Sequence, residues 1–220
     1  MARIDFIQKL HTKTSRNYVQ RVVEHDKAEC ATIARQFGRD YWDGERQYGY
    51  GGYRYDGRWN PIAAEMAAHY GLKPGMKVLD VGCGKGFLLH ELTQVVPGLI
   101  VAGLDISQYG IDNAKEEVRP FLVQGSADRL PFEAGEFDFV VSLGTLHNLA
   151  LPAASAAFRE IERVGRGGKY VMIESFRDER EKANLLYWQL TCQSFHDPDS
   201  WEWLATQAGY TGDIGFIYFE

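Results

Sequence analysis

The sequence has few cysteines, no long hydrophobic run and no excess of positive charge. Its three cysteines, Cys30, Cys83 and Cys192, are far apart and form no CxxC pair, which excludes a disulfide framework and a zinc ribbon. The uncharged runs are much shorter than a membrane span, and the first residues lack the apolar core of a signal peptide. We therefore expect a reduced, cytoplasmic protein with no membrane partner.

Acidic residues outnumber lysine and arginine by 30 to 24, so the formal net charge is −6. Proteins that bind nucleic acids usually present a basic face, and this balance argues against a nucleic-acid partner. A local basic pocket for a small anion is still compatible with it. The six histidines show no ligand spacing, so we predict no metal site. The oligomeric state stays open.

The composition changes once along the 220 residues, near residue 60. The first part is rich in charge and aromatic side chains and predicts two helices, over residues 6–25 and 27–38. Residues 41–59 then contain too many glycines for a helix. The sequence therefore predicts an N-terminal helical and aromatic arm, residues 1–60, followed by one domain, residues 61–220.

In the second part, short β-branched runs alternate with longer amphipathic stretches. This alternation predicts βαβ units, and hence a doubly wound, Rossmann-like α/β fold with a mostly parallel sheet and helices on both faces. The near-continuous apolar run FDFVVSL fits the buried interior of such a sheet. The predicted strands are 77–81, 99–105, 121–125, 137–143, 169–175 and 213–219, and the predicted helices are 87–95, 108–119, 153–164 and 198–208.

The segment VLDVGCGKGFLLHEL places a glycine-rich turn between a buried strand and an apolar helix. Its glycines, Gly82, Gly84 and Gly86, do not have dinucleotide-fingerprint spacing, because Phe87 stands at the position of the last glycine. The Gly-Lys-Ser/Thr of a P-loop is absent as well. Glycine permits positive φ and the close approach of a ligand, and the next helix offers free N–H groups. The alternative is a turn that only connects the strand to the helix.

These residues resemble the first motif of the class I S-adenosylmethionine-dependent methyltransferases, an acidic residue followed by Gly-x-Gly-x-Gly, here from Asp80 to Gly86. The similarity continues to about residue 174, and the arm and tail resemble small bacterial methyltransferases of unassigned substrate. The resemblance implies a seven-stranded sheet and S-adenosylmethionine as the cofactor.

Further along the chain, GLDIS and QGSADRLPFEAGEFD resemble the segments of this family that hold the ribose and the adenine. The resemblance implies that Asp105 accepts the ribose hydroxyls, and that Asp128 receives the adenine amino group with Ala127 beside the ring. Alternatively, Asp105 or Ser107 caps the next helix and Asp128 lies in an ordinary turn. The full set of implied cofactor-binding residues is Asp80, Gly82, Gly84, Gly86, Asp105, Ile106, Ala127, Asp128 and Leu143.

Methyl transfer from a sulfonium is an in-line displacement, so the protein mainly aligns the reactants and excludes water. A general base is needed only where the acceptor atom carries a proton that must leave, as in a hydroxyl. His147, in the loop after the fourth predicted strand, is the leading candidate, because imidazole titrates near neutral pH. Its alternative role is to cap the next helix or bond a loop carbonyl. Glu174 is a weaker candidate for the base.

The arm is predicted to select the acceptor by folding over the cofactor as a lid. Lys9, Lys13 and Arg16 share one face of the first predicted helix, near His11 and Arg21, and could converge on a phosphate or carboxylate. A charge run of this kind more often forms a solvated face, and the aromatic residues of the arm could simply fasten it to the domain. The candidate substrate residues are Tyr50, Tyr53, Arg54, Arg58 and Trp59.

The resulting prediction is a methyltransferase that acts on oxygen or nitrogen of a small molecule, which could be anionic. A methyltransferase acting on RNA or protein is the first alternative, but SLGT replaces the Asn-Pro-Pro-Tyr type signature of many nucleic-acid amine methylases. A binding protein without turnover is the second. A nicotinamide-dependent oxidoreductase is the third, and Phe87 argues against it.

Overall fold

The computed structural model describes residues 1–11 and 16–220, and its core is a parallel sheet of six strands in the described part of the chain. The strand order is β3-β2-β1-β4-β5-β6, and every neighbouring pair runs parallel. The predicted doubly wound α/β fold is therefore confirmed. The strands are β1 (Lys77–Val81), β2 (Ile100–Asp105), β3 (Leu122–Gln124), β4 (Phe137–Leu143), β5 (Gly165–Ser175) and β6 (Asp213–Tyr218).

Both faces of the sheet are covered by hydrophobic side chains, because the central strands are apolar at nearly every position. In β1, Val78 and Leu79 are fully buried and point to opposite faces, so they belong to two different core clusters. In β4, Val140 and Val141 divide in the same way. Each cluster packs the helices of one face against the sheet.

From β1 onward α-helices separate successive strands except between β3 and β4, and further helices precede β1. Three-residue 3₁₀ turns occur at Arg46–Tyr48, Arg119–Phe121 and Leu146–Asn148. None of the described helices is long and apolar enough to cross a membrane. The α-helices are α1 (Gln8–His11), α2 (Tyr18–Glu24), α3 (Lys27–Ala34), α4 (Arg39–Asp43), α5 (Asn60–His69), α6 (Phe87–Val95), α7 (Gln108–Asp112), α8 (Leu151–Val164), α9 (Glu179–Trp188) and α10 (Pro198–Gln207).

The structure differs from the prediction mainly in the length of three helices. Instead of one helix over residues 6–25 there are α1 and α2, and Asn17 caps α2 by accepting the N–H of Gln20. The helix predicted to reach residue 38 ends at Ala34, before the positive φ of Phe37. The helix predicted to reach residue 119 is α7, which ends at Asp112. The chain turns there, and Lys115 donates its N–H to the carbonyl of Lys85 in the glycine-rich turn.

The described sheet has six strands rather than the seven that the resemblance implies. After β5 the chain forms α9 and α10 and returns in β6 parallel to β5, so no further strand is added there. The sequence pattern did not predict α4, α5 or α9, although buried Ile62, Ala63, Met66 and Ala67 have helical spacing in α5.

The first residues of the chain pack on the domain rather than apart from it. Ile4 donates its N–H to the carbonyl of Ile214 in β6, and Ile214 donates to Ala2, each at 2.9 Å. Phe6 and Ile7 are buried in the core cluster that holds α5 and α6. The predicted division of the chain at residue 60 stays a prediction.

Candidate active site

A cavity of about 390 Å³ lies at the carboxyl ends of the strands, where parallel α/β sheets bind their ligands. Leu143, Gly144 and His147 of the loop after β4 form one wall, and Glu174 at the end of β5 forms another. The arm and α9 close the remaining sides. The glycine-rich turn after β1 lies at the same edge of the sheet.

Each glycine of that turn is required by its backbone conformation. Gly82, Gly84 and Gly86 have φ values of +84°, +53° and +68°. A Cβ on Gly82 would lie 1.9 Å from the hydroxyl of Thr145, and one on Gly84 would lie 2.7 Å from the ring of Trp42. The neighbouring protein side chains therefore exclude larger residues here, in addition to any ligand that approaches the turn.

Asp105 ties the glycine-rich turn to the end of β2. Its carboxylate is 7% exposed and accepts the N–H of Gly84 at 2.7 Å and that of Ser107 at 2.8 Å. Each carboxylate oxygen can accept more than one hydrogen bond, so both oxygens keep acceptor capacity for a ligand. The cap of α7 is Ser107, whose hydroxyl accepts the N–H of Gly110 at 2.8 Å.

Asp80, at the end of β1, is a buried carboxylate that no hydrogen-bond donor meets among the described residues. It is 4% exposed, and burial together with the charge of Asp105 raises the pKa of Asp80 to about 8. An ionised carboxylate in such a place is costly unless a cation or donors compensate it. S-adenosylmethionine carries a sulfonium and an ammonium group, so this pair of carboxylates fits the cofactor.

The remaining predicted cofactor-binding residues lie at or after the ends of β2, β3 and β4. Ile106, directly after β2, is 50% exposed although it is apolar, whereas Ala127, which follows β3, is buried. Asp128 is half-buried, and Leu143 lines the cavity. Exposed apolar surface next to a carboxylate suits a nucleoside, whose ring is flat and apolar and whose ribose is polar.

The arm folds over the glycine-rich turn and is fastened there by polar contacts. The indole N–H of Trp42 donates to the Ser107 hydroxyl at 2.8 Å. Lys85, within the turn, donates to both oxygens of Asp43, at 2.8 and 2.7 Å, and to the carbonyl of Tyr53 at 2.9 Å. Because the Lys85 ammonium is buried, loss of Asp43 would leave its charge uncompensated.

All five predicted substrate residues, Tyr50, Tyr53, Arg54, Arg58 and Trp59, line the cavity. The ring of Tyr53 stacks on Phe87 of α6 at 5.0 Å, and its hydroxyl accepts the indole N–H of Trp59 at 3.1 Å. Arg58 is paired with Asp56, whereas Arg54 makes no ion pair with the described residues. Tyr53 and Trp59 thus fasten the arm, and Arg54 is available to a ligand.

His147 and Glu174 form a buried pair in the wall of the cavity. The Nε2 atom of His147 lies 3.4 Å from a Glu174 carboxylate oxygen, and its Nδ1 atom lies 3.4 Å from the Glu174 amide nitrogen. Burial lowers the pKa of His147 to about 3 and raises that of Glu174 to about 8. Gln189 donates a further hydrogen bond to the Glu174 carboxyl. At neutral pH both groups are therefore mainly uncharged.

Arg46 and Trp188 are among the cavity residues that could not be predicted from the sequence, because no motif marks them. Arg16 and Arg21, which were singled out from the sequence, line the same cavity rather than a solvated face. Lys13 lies outside the described residues, as does the side chain of Lys9. The partners of the arginines could not be anticipated, since α9 itself was not predicted.

A doubly wound parallel sheet with carboxylates and a glycine-rich turn at its carboxyl edge is the Rossmann-like arrangement in which such folds bind nucleoside cofactors. Residues 79–173 match the family model described as methyltransferase domain. This match confirms the predicted resemblance of residues 79–173 to the S-adenosylmethionine-dependent methyltransferases, and with it the prediction of S-adenosylmethionine as the cofactor.

Known proteins similar to the chain are methyltransferases as well. An uncharacterized methyltransferase of Synechocystis sp. is 32% identical over 143 residues, 63% of this chain and 65% of the relative. A demethylmenaquinone methyltransferase of Lysinibacillus sphaericus is 34% identical over 117 residues, 50% of this chain and 49% of the relative. The chain thus spans from about half to under two thirds of the length of these relatives.

A solved structure of geranyl diphosphate methyltransferase in complex with S-adenosylmethionine has a TM-score of 0.56 to this chain. The two sequences are 18% identical, and the matching region covers 66% of this chain and 62% of the chain in that structure. This likeness supports the fold.

Proposed function

We propose that the protein transfers a methyl group from S-adenosylmethionine to oxygen or nitrogen of a small-molecule acceptor. The observation that carries the proposal is the uncompensated, buried Asp80 beside Asp105 and the glycine-rich turn. A site of this kind favours a cationic nucleoside over the anionic dinucleotide NAD. When bound, the cofactor supplies an activated methyl group, and the protein supplies alignment and exclusion of water.

In this proposal different residues bind different parts of the cofactor. Asp80 compensates its positive charge, Asp105 accepts its ribose hydroxyls, and Asp128 receives the adenine amino group. Arg54, which lacks a carboxylate partner in the described structure, pairs with the carboxylate of its methionine part. The remaining members, Gly82, Gly84, Gly86, Ile106, Ala127 and Leu143, shape the surface against which the ligand lies.

The acceptor occupies the cavity between the loop after β4 and the arm. Relatives named as demethylmenaquinone and sterol methyltransferases support a small molecule rather than RNA or protein. Tyr50, Tyr53, Arg58 and Trp59 are proposed as its surroundings.

Glu174 is proposed to remove the proton when the acceptor atom carries one that must leave. Its pKa of about 8 makes its ionised form a competent base near neutral pH, whereas a pKa of about 3 makes His147 a weak one. His147, the leading candidate in the sequence, then acts by holding the Glu174 carboxyl in place. Arg16 opposes the rise of the pKa of Glu174 and so favours its ionised form.

The proposal is tested by calorimetric titration with S-adenosylmethionine, S-adenosylhomocysteine and NAD. We expect micromolar binding of the first two ligands and no binding of NAD. Small acids, sugars and amines are then screened as methyl acceptors with the cofactor present. Binding of NAD alone would overturn the proposal, and binding of the cofactor without turnover on any acceptor would favour a binding protein.

A further inference from the structure

Three arginines that line the cavity surround one tryptophan of α9. The guanidinium carbons of Arg21, Arg46 and Arg16 lie 4.6, 5.2 and 5.5 Å from the ring centre of Trp188. All four side chains line the cavity. We call Arg16, Arg21 and Arg46 the arginine cluster.

Two members of the cluster are held in place by backbone carbonyls and not by carboxylates. Arg21 donates to the carbonyl oxygens of Arg46 and Gln47 at 3.3 and 3.4 Å, and Arg46 donates to that of Gly49 at 2.6 Å. In the described structure neither forms an ion pair, and the Nε atom of Arg21 is buried without a partner. A guanidinium has five N–H donors, so each of the two retains donors for a ligand.

The cavity offers the cluster little negative charge. Among its described lining residues, Glu174 is the one acidic side chain, and burial keeps it mainly protonated at neutral pH. The pKa of His11 is lowered to about 4 by burial and by Arg16, so this histidine is neutral as well. Several guanidinium charges therefore share one cavity in a protein whose net charge is −6.

Keeping like charges together and partly buried is costly unless an anion joins them. Trp188 supplies a flat surface that holds the guanidinium planes by cation–π contact. Planar guanidinium groups bind phosphate oxygens with two parallel hydrogen bonds, which a single ammonium group cannot do. A dianion balances the cluster better than the single charge of a carboxylate.

We propose that the arginine cluster binds a phosphate group, or a comparable dianionic oxyanion, of the methyl acceptor. This inference rests on the proposed function, because the acceptor must lie between the cluster and the cofactor. The cluster then sets the direction of the acceptor: its anionic end lies against Trp188, and its reactive atom faces Glu174 and the loop after β4.

The test uses inorganic phosphate as the probe, with acetate as the comparison. Both are titrated into the 220-residue chain at pH 8 and constant ionic strength, with S-adenosylhomocysteine present, by calorimetry and tryptophan fluorescence. We expect phosphate to bind at least tenfold more tightly than acetate. Removing one charge-assisted contact, in Arg21→Gln or Arg46→Gln, should weaken phosphate binding by about tenfold or more.

Arg119→Gln is the matched control, because this arginine is exposed and lies in the turn before β3, away from the cavity. It should leave phosphate binding unchanged. Thermal unfolding of each variant confirms that it is folded, and Arg21→Lys provides a second variant that retains the charge but loses the planar fork.

The outcomes separate this inference from the proposed function. If phosphate affinity is the same in wild type, Arg21→Gln and Arg46→Gln, or if acetate binds as tightly as phosphate, the inference is overturned even when S-adenosylhomocysteine binds. If S-adenosylhomocysteine fails to bind while phosphate binding depends on the cluster, the proposed function fails and the anion site stands.

Discussion

The two halves of the sheet's carboxyl edge differ in charge. The half at the ends of β1 and β2 carries two buried carboxylates, Asp80 and Asp105, with raised pKa values. The other half, beyond β4 and β5, faces the arginine cluster. A cationic cofactor and an anionic acceptor would each find the opposite charge in its own half, and their reactive groups would meet between the two. Electrostatics alone would then discourage either ligand from binding in the wrong half.

The halves also differ in how they are assembled. The acidic half comes from neighbouring segments around β1 and β2, whereas the basic half combines the arm, the loop after β4, the end of β5 and α9. The loop after β4 also reaches the acidic half, where the side chain of Thr145 lies against Gly82. Substitutions in one half should therefore change cofactor binding with little effect on the acceptor, and the reverse should hold for the other half.

The largest effect is expected from Glu174→Gln. If Glu174 is the base, turnover of a hydroxyl acceptor should fall by about 100-fold or more, since general base catalysis contributes on the order of 10²–10⁴. In the wild type the rate should rise with pH, because the active form is the carboxylate and the pKa of Glu174 is raised to about 8. The measurement is the pH dependence of turnover between pH 6 and 9.

His147→Asn is the companion variant to Glu174→Gln. If His147 only positions Glu174, its removal should lower the turnover rate, but the rate should still rise with pH through about pH 8. Since the pKa of His147 is lowered to about 3, no step near pH 6.5 is expected in the wild type. A step near 8 that persists in Glu174→Gln would contradict the assignment of the base.

The next effect concerns the contact between the arm and the acidic half. Asp43→Ala leaves the buried ammonium of Lys85 without its carboxylate, so the free energy of unfolding should fall by about 3 kcal/mol. Asp56→Ala is the matched control, because it breaks the exposed pair with Arg58 and should cost at most about 1 kcal/mol. Urea unfolding of both variants makes the comparison; equal losses would show that the arm is not held by Lys85.

Asp105→Ala should weaken binding of S-adenosylmethionine by about 30-fold, because ribose hydroxyls lose a charged acceptor and the N–H of Gly84 loses its partner. Calorimetric titration measures the loss. Asp112→Ala, on the exposed side of α7, provides the control and should bind the cofactor normally. Near-normal affinity of Asp105→Ala would remove the cofactor assignment, and phosphate binding at the arginine cluster should be unaffected.

The acidic half could be predicted from the sequence because its chemistry lies in contiguous segments. The predicted strands 77–81 and 137–143 agree with β1 and β4 at both ends. Their bounds could be predicted because each is an apolar run that ends at or next to a turn glycine. The basic half could not be predicted in the same way. Arg46 and Trp188 are 142 positions apart, and only the packing of α9 against the arm brings them together.

The smallest effect on ligand affinity, and the most discriminating one, is expected from Asp80→Asn, which separates stability from cofactor binding. Folding raises the pKa of Asp80 to about 8, so the folded state binds this proton more tightly than the unfolded state, and wild-type stability falls as pH rises from about 4 through 8. Asparagine does not titrate. At pH 9 the variant should therefore be more stable than the wild type by up to about 5 kcal/mol, the full effect of a shift of about four pKa units, and the difference should vanish near pH 4.

The same substitution removes the negative charge that compensates the cofactor. Affinity for S-adenosylmethionine should fall by about tenfold, while affinity for the neutral-sulfur product S-adenosylhomocysteine should fall less, because the product lacks the sulfonium. Thermal unfolding without ligand and calorimetry with both ligands give the two readouts. If Asp80→Asn destabilises the protein at pH 9, the carboxylate has a compensating structural partner, and the acidic half was not built around a cationic ligand.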